Sequence, residues 1–158
     1  MRKRFENKVV IITGAASGIG ASAANLFAQE GAKVLVSDIE DEMGQSVVEE
    51  IRGDGGVAEY MHVDVSDVEQ MQAQVAKAES LWGGLDVMFN NAAGVRLGGL
   101  LDIPIEDFIW SMDHAIKPYF LGARFAVPAL QRRGGGAIVN TASIAGLAAD
   151  RGLPAHVT

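Results

Sequence analysis

The chain has 158 residues, 49% of them hydrophobic and 21% charged, which is enough apolar chain for a buried core and too much for an intrinsically disordered one. Thirteen Lys and Arg stand against twenty Asp and Glu, a net charge of -7, and the only basic run is Arg2-Lys3-Arg4, so the composition argues against a nucleic-acid partner. There is no cysteine, which excludes disulfides, thiolate nucleophiles and cysteine metal sites; redox chemistry here needs a borrowed cofactor.

Residues 9–29 carry no charge, yet glycines and the polar Thr13, Ser17, Ser22 and Asn25 interrupt the segment, and its apolar period changes from strand to helix midway. That pattern is read as the soluble beginning of a fold and not as a membrane span or signal peptide, and the lack of cysteine suits a reducing compartment, so a cytoplasmic location is expected. Residues 9–12 are expected as a buried strand, 18–29 as a helix of small residues, and 33–38 as a second strand entered through Gly31. A polar amphipathic helix covers 41–52 and ends at Gly53. Residues 57–63 form a third strand, and 67–81 a helix with acids in its first turn, where the helix dipole favours them. After Gly83-Gly84 comes a fourth strand, 85–90. One long helix is expected from Pro104 to Arg133, bent or interrupted by Pro118 and Pro128. Past three glycines, 137–141 is a fifth strand. Alternation of continuously apolar strands with helices implies an α/β fold, a doubly wound parallel sheet with helices on both faces, in one domain over 1–158.

The turn between the first strand and first helix reads Thr13-Gly14-Ala15-Ala16-Ser17-Gly18-Ile19-Gly20. Gly14 permits a tight turn, Gly18 a close backbone approach to a ligand, and Gly20 close helix packing, while the helix N-terminus faces a pyrophosphate. Asp38 ends the second strand, where a carboxylate accepts both hydroxyls of an adenosine ribose and repels a 2′-phosphate. With no Lys or Arg at 15, 16, 37 or 39, NAD is favoured over NADP. The other reading of Asp38 is a solvated strand-end carboxylate.

Three residues separate Gly14 from Gly18, and this Thr-Gly-x-x-x-Gly-x-Gly spacing resembles the short-chain dehydrogenases/reductases, a family with a Rossmann-like sheet ordered 3-2-1-4-5. Asp64-Val65 looks like the family's adenine-contacting pair. Asn90-Asn91-Ala92-Ala93-Gly94 looks like its Asn-Asn-Ala-Gly segment with one extra Ala, and residues 138–146 look like the strand that delivers its catalytic serine, which would be Ser143. The resemblance thus implies a cofactor site of Gly14, Ser17, Gly18, Ile19, Gly20, Asp38, Asp64, Val65, Asn91, Ala92, Ala93 and Gly94. It implies hydride transfer between nicotinamide and a secondary alcohol or ketone, with a serine bonding the substrate oxygen, a tyrosine moving its proton, a lysine lowering that tyrosine's pKa and an asparagine holding a water. Read from the residues alone, Asn90 and Asn91 could instead satisfy buried backbone groups, and Ser143 could cap a turn.

Two positions depart from the family pattern. Aligned through Tyr119-Phe120-Leu121-Gly122, the asparagine falls on Ala115; thirteen residues after Ser143, the tyrosine falls on His156, and the lysine would come at about position 160. A histidine can do acid–base work near neutral pH, but imidazole is shorter than a phenol and its cation repels oxidised nicotinamide. His62 and His114 read as ordinary residues without metal-ligand spacing, and no metal is expected. Tyr60 and Tyr119 stand on the wrong elements to replace the missing tyrosine.

The family's sheet has two further strands, so the fifth strand is expected as an exposed edge and the chain as a piece of a longer one, incomplete at its C-terminus, the alternative being a truncated product that leans on a partner. Val95-Arg96-Leu97-Gly98 and the stretch from Leu147 to Leu153 are expected to line a pocket for an apolar alcohol or ketone, and the apolar 116–130 stretch suits a homodimer or homotetramer. Two functions stay open: an NAD-dependent oxidoreductase with an impaired catalytic end, and an inactive NAD-binding or scaffold protein.

Overall fold

The computed structural model describes residues 3–148 and 152–157. Arg2, Asp150, Arg151 and Thr158 therefore lie outside the described residues. In chain order the elements are β1 (Val9–Thr13), α1 (Gly18–Gln29), β2 (Lys33–Asp38), α2 (Asp41–Gly53), β3 (Val57–His62), α3 (Val68–Trp82), β4 (Val87–Asn90), α4 (Ile105–Ala115), α5 (Lys117–Arg132), β5 (Ala137–Asn140), a 3-10 turn (Ile144–Gly146) and the short α6 (Pro154–Val157). All five strands are parallel in the order β3-β2-β1-β4-β5, the order and fold class expected from the sequence.

The period of two along a strand divides the core into layers. Val9, Ile11, Leu35 and Met88 point to one face and pack on α3 and α5 through Met71, Val75, Leu121 and Ala129. Val10, Ile12, Val34, Val36 and Val87 point to the other, against Ala24, Ala28, Val47, Val48 and Ile51 of α1 and α2. Strands covered on both faces must be apolar throughout, which explains why β1 is buried along its whole length. The edge strand β5 differs: Ala137, Val139 and Asn140 are exposed, and its register is to β4 alone among the described residues.

Instead of one long helix, 104–133 forms two. The break is at Ile116 (φ -119°, ψ -53°), with Pro118 in the first turn of α5. Proline has no N–H for the carbonyl four residues back, which here is that of His114, and its ring crowds that carbonyl. The freed His114 carbonyl accepts instead from the Gly94 N–H at 3.1 Å, so the proline anchors a loop of the cavity described below. Pro128 sits inside α5 without ending it.

At the amino ends of the strands, Asp86 ties three of them together. It is 5% exposed; Oδ1 accepts from Lys8 Nζ (2.9 Å) and Oδ2 from Val9 N (3.0 Å), with Arg133 Nε at 3.4 Å. Its own N–H bonds Val9 and its carbonyl accepts from Ala137. Burial pushes this carboxyl up, but the bonds from Lys8 and Val9 and the charges of Lys8 and Arg133 outweigh burial and hold it below the usual carboxylate range.

Asp86→Ala is expected to lose about 3 kcal/mol of stability in urea unfolding at neutral pH, because a buried acceptor of several donors is removed. A carboxyl whose folded pKa lies below its unfolded one stabilises the fold fully above the unfolded value and loses that contribution as pH falls through the folded one. The gap between wild type and variant should therefore narrow below about pH 4. A gap that stays constant to about pH 3 contradicts this account.

Candidate functional site

At the carboxyl ends of β1 to β4 the connections open into a cavity of about 490 Å³. Its floor depends on a contact between the β1–α1 turn and the segment after β4. Gly14 takes φ +65°, and a Cβ there would stand 2.8 Å from the Ala92 Cα. A Cβ on Gly20 would collide with the Gly14 carbonyl oxygen and come within 2.8 Å of Asn91 Nδ2. Only glycine allows the turn, the helix start and the β4 segment to close on one another.

Side chains then lock that contact. Asn91 Nδ2 donates to the carbonyls of Thr13 (3.1 Å) and Gly14 (3.2 Å), and Asn91 Oδ1 accepts from Thr141 Oγ1 at 2.9 Å. Thr13 Oγ1 accepts from the N–H groups of Asn91 (3.0 Å) and Ala92 (3.1 Å). Asn90 is buried, and its Nδ2 donates to Asn140 Oδ1 at 2.9 Å. The amide of Asn91 therefore satisfies backbone groups, one of the two roles the sequence left open, while its residue still lines the cavity.

Gly14, Ser17, Gly18 and Ile19 line the cavity from the β1–α1 turn and α1; Asp38 and Ile39 from the end of β2; Val63, Asp64 and Val65 from beyond β3; and Asn91, Ala92, Ala93 and Gly94 from beyond β4. The sequence-expected residues are thus brought together, except that Gly20 lies beneath them as packing.

Helix α1 starts unlike α3. Asp67 caps α3 by accepting from Glu69 N (2.8 Å) and Gln70 N (3.0 Å), whereas Ser17 makes no side-chain cap and the first turn of α1 holds no acid. A Cβ on Gly18 would meet nothing within 4 Å. Uncapped N–H groups, the positive end of a helix dipole and open space suit an anion there.

Asp38 Oδ2 accepts from Ala16 N (2.9 Å), and Oδ1 accepts from Ile39 N (2.8 Å) and Glu40 N (3.1 Å). These three bonds fix the carboxylate and leave about one of its roughly four acceptor positions for a ligand. The Tyr60 hydroxyl shares its one hydrogen between the Asp38 carbonyl (2.7 Å) and Asp41 Oδ1 (2.8 Å), and His62 Nδ1 meets the same carboxylate oxygen at 2.7 Å. Asp41 is held below the usual range by those bonds, first from Tyr60 and then from His62. The Tyr60 hydroxyl is raised by burial and by Asp41. Burial pushes Asp64 up, but the hydrogen bonds it accepts from the Ser66 side chain and backbone outweigh burial and leave it lowered.

The Ser143 hydroxyl is exposed and accepts from Ala145 N at 3.1 Å, capping the 3-10 turn. His156 is half-buried on α6, which packs against that turn and against α4. Ala115 is the last residue of α4. Tyr119 donates to the Thr141 carbonyl at 2.9 Å, and burial raises its hydroxyl. Gly98 N bonds the Gly152 carbonyl at 3.1 Å, joining the two stretches expected near substrate. No group of three or more potential metal ligands occurs among the described residues, and no helix among them is long and apolar enough to cross a membrane.

Trp110 and His114 also line the cavity, stacked with ring centres 3.9 Å apart. Nothing in their spacing singles them out, because they reach the cavity only after the Pro118 break turns the end of α4 toward Gly94.

Comparison with known proteins agrees with this architecture. A family model described as short chain dehydrogenase matches residues 8–157. A cyclohexanol dehydrogenase of Acinetobacter sp. (strain SE19) is 42% identical over 158 residues, covering 99% of this chain and 63% of that protein. An uncharacterized oxidoreductase of Thermotoga maritima is 44% identical over 144 residues, 90% of this chain and 56% of that one. A solved 7 alpha-hydroxysteroid dehydrogenase, complexed with NADH and 7-oxo glycochenodeoxycholic acid, superposes with a TM-score of 0.94 at 31% identity, over 99% of this chain and 61% of that one. The chain thus spans less than two thirds of the length of these relatives.

Two substitutions in the same turn separate packing from ligand space. Gly20→Ala is expected to destabilise the fold by about 2 kcal/mol in urea unfolding, as an overpacked methyl does. Gly18→Ala meets no atom and should cost only about 1 kcal/mol, from its positive φ. Equal losses contradict the assignment.

Proposed function

The chain belongs to the short-chain dehydrogenase family, and on that premise we propose that its cavity is the NAD site of an oxidoreductase acting on an apolar secondary alcohol or ketone. The observation that carries this reading is the uncapped α1 N-terminus opening beside the fixed Asp38 carboxylate. In this reading the N–H groups of Gly18, Ile19 and Gly20 bind the pyrophosphate, with Gly14 and Ser17 forming the turn beneath it. Asp38 accepts the adenosine ribose hydroxyls. Glu40, Asp41 and Glu42 add negative charge around that position and disfavour a 2′-phosphate. Asp64 and Val65 border the adenine, and Asn91, Ala92, Ala93 and Gly94 line the way to the reacting end. When bound, the nicotinamide donates or accepts the hydride.

On the protein side, the Ser143 Oγ retains its hydrogen while accepting from Ala145, so it can donate to a substrate oxygen. His156 is the proposed proton carrier at the tyrosine position, on a helix packed against the turn that Ser143 caps. With Ala115 where the family has asparagine, the proton path is impaired. These same substitutions favour a second reading, an inactive NAD-binding or scaffold protein. The relatives named for cyclohexanol and for a steroid support a ring-bearing apolar substrate. Exposed Ile109 on α4, Ile116 at the break, and Phe120 and Val127 on α5 support a homodimer or homotetramer, and the absence of cysteine suits a cytoplasmic protein.

NADH is expected to bind more tightly than NADPH in fluorescence titrations. Asp38→Asn should weaken NADH by about tenfold, the worth of a charged hydrogen-bond acceptor, while narrowing the gap to NADPH. A wild-type preference for NADPH contradicts the NAD reading. Turnover with cyclic secondary alcohols separates the two functions: the full-length protein carrying His156→Tyr and Ala115→Asn should exceed wild type by about two orders of magnitude. Equal and robust turnover by wild type contradicts the impaired proton path, and no turnover by either favours the inactive reading.

A further inference from the structure

We propose that His114 reads the adenine base: its Nε2 and the Asp64 carboxylate form a pair of acceptors for the exocyclic amino group of the cofactor. The inference rests on the NAD reading of the cavity and adds a residue that sequence motifs do not mark.

The ring's tautomer is set by the backbone. His114 Nδ1 lies 2.7 Å from the Trp110 carbonyl oxygen, which can only accept, so Nδ1 carries a hydrogen and the neutral ring keeps its lone pair on Nε2. Ring orientation is set by stacking on Trp110, at 3.9 Å and 16°, with the Arg96 guanidinium 4.2 Å from the Trp110 ring centre. Nε2 then stands 3.9 Å from Asp64 Oδ1, and both residues line the cavity. Asp64 is oriented in turn, its Oδ1 accepting from Ser66 N (2.8 Å) and Ser66 Oγ (2.7 Å), while Oδ2 has no hydrogen bond among the described residues.

A neutral imidazole nitrogen and a carboxylate cannot bond each other. A ligand group with two hydrogens on one nitrogen satisfies both. The sheet order sets the position: β3 lies outside β2, so groups at the end of β3 stand beyond Asp38, where the base joined to an Asp38-bound ribose falls. Adenine offers an amino group there, whereas hypoxanthine offers a carbonyl that both acceptors repel.

The test is fluorescence titration of the protein with NADH and with reduced nicotinamide hypoxanthine dinucleotide. Wild type should favour NADH by at least about tenfold. His114→Phe keeps the stack on Trp110 but removes Nε2, and should bring the preference to about threefold. His114→Gln, folded as judged by circular dichroism, restores an acceptor and should recover the preference. A His114→Phe protein that keeps the wild-type ratio overturns the proposal, as does a wild type that binds both dinucleotides equally while still preferring NADH to NADPH, which leaves the NAD reading standing. A wild type that binds neither dinucleotide fails the NAD reading itself, and this inference falls with it.

Discussion

The structure depends on the closure between the β1–α1 turn and the segment leaving β4. There three elements meet with no room for a side chain at Gly14 or Gly20, and one amide, that of Asn91, satisfies two carbonyls of the turn while accepting from Thr141 beyond β5. A backbone turned at positive φ and buried against another strand end would leave orphaned polar groups without such a partner. Asp86 plays the matching part at the opposite ends of β1, β4 and β5. The sheet is thus pinned at both rims by polar side chains, Asn91 with Thr13 and Thr141 at one and Asp86 at the other, and the apolar layers fill the space between them.

That closure leaves the first turn of α1 facing open space, uncapped and free of acids. Elsewhere the chain can cap a helix start with a side chain, as Asp67 does for α3. A helix terminus kept bare beside a carboxylate held by three backbone N–H groups is an arrangement with little structural purpose and a clear use in dinucleotide binding. At the proposed reacting end stand Ser143, the turn it caps and α6, and the side chains at 115 and 156 depart from the family pattern. In the proposed reading binding and chemistry rest on different parts of the chain: the connections after β1 to β4 line the nucleotide end, while the segment after β5, the 3-10 turn and α6 carry the reacting end.

Much of this was legible in the sequence for physical reasons. Parallel strands buried on both faces must be apolar throughout, so β1 and β2 stand out, and α1 and β2 have the bounds their patterns imply. Glycine spacing in the turn reflects a steric demand that few other residues meet. The division at Ile116 was less legible: Pro118 announces an interruption, but not that the freed His114 carbonyl would capture Gly94. Trp110 and His114 were hidden for the same reason, since their position in the cavity comes from tertiary geometry and not from periodicity. Asn91 was ambiguous in sequence because a buried amide can serve backbone or ligand, and only coordinates decide which.

The most direct test of the central claim, that the bare α1 terminus and its neighbouring strand ends hold NAD, is a titration of the isotopically labelled protein with NADH, monitored through its amide resonances. The account predicts that the Gly18, Ile19 and Gly20 amides shift most, together with Ala92 to Gly94 and Asp64, while those of α3, on the far side of the sheet from α1, stay in place. Shifts confined to other surfaces, or none at saturating NADH, would contradict it.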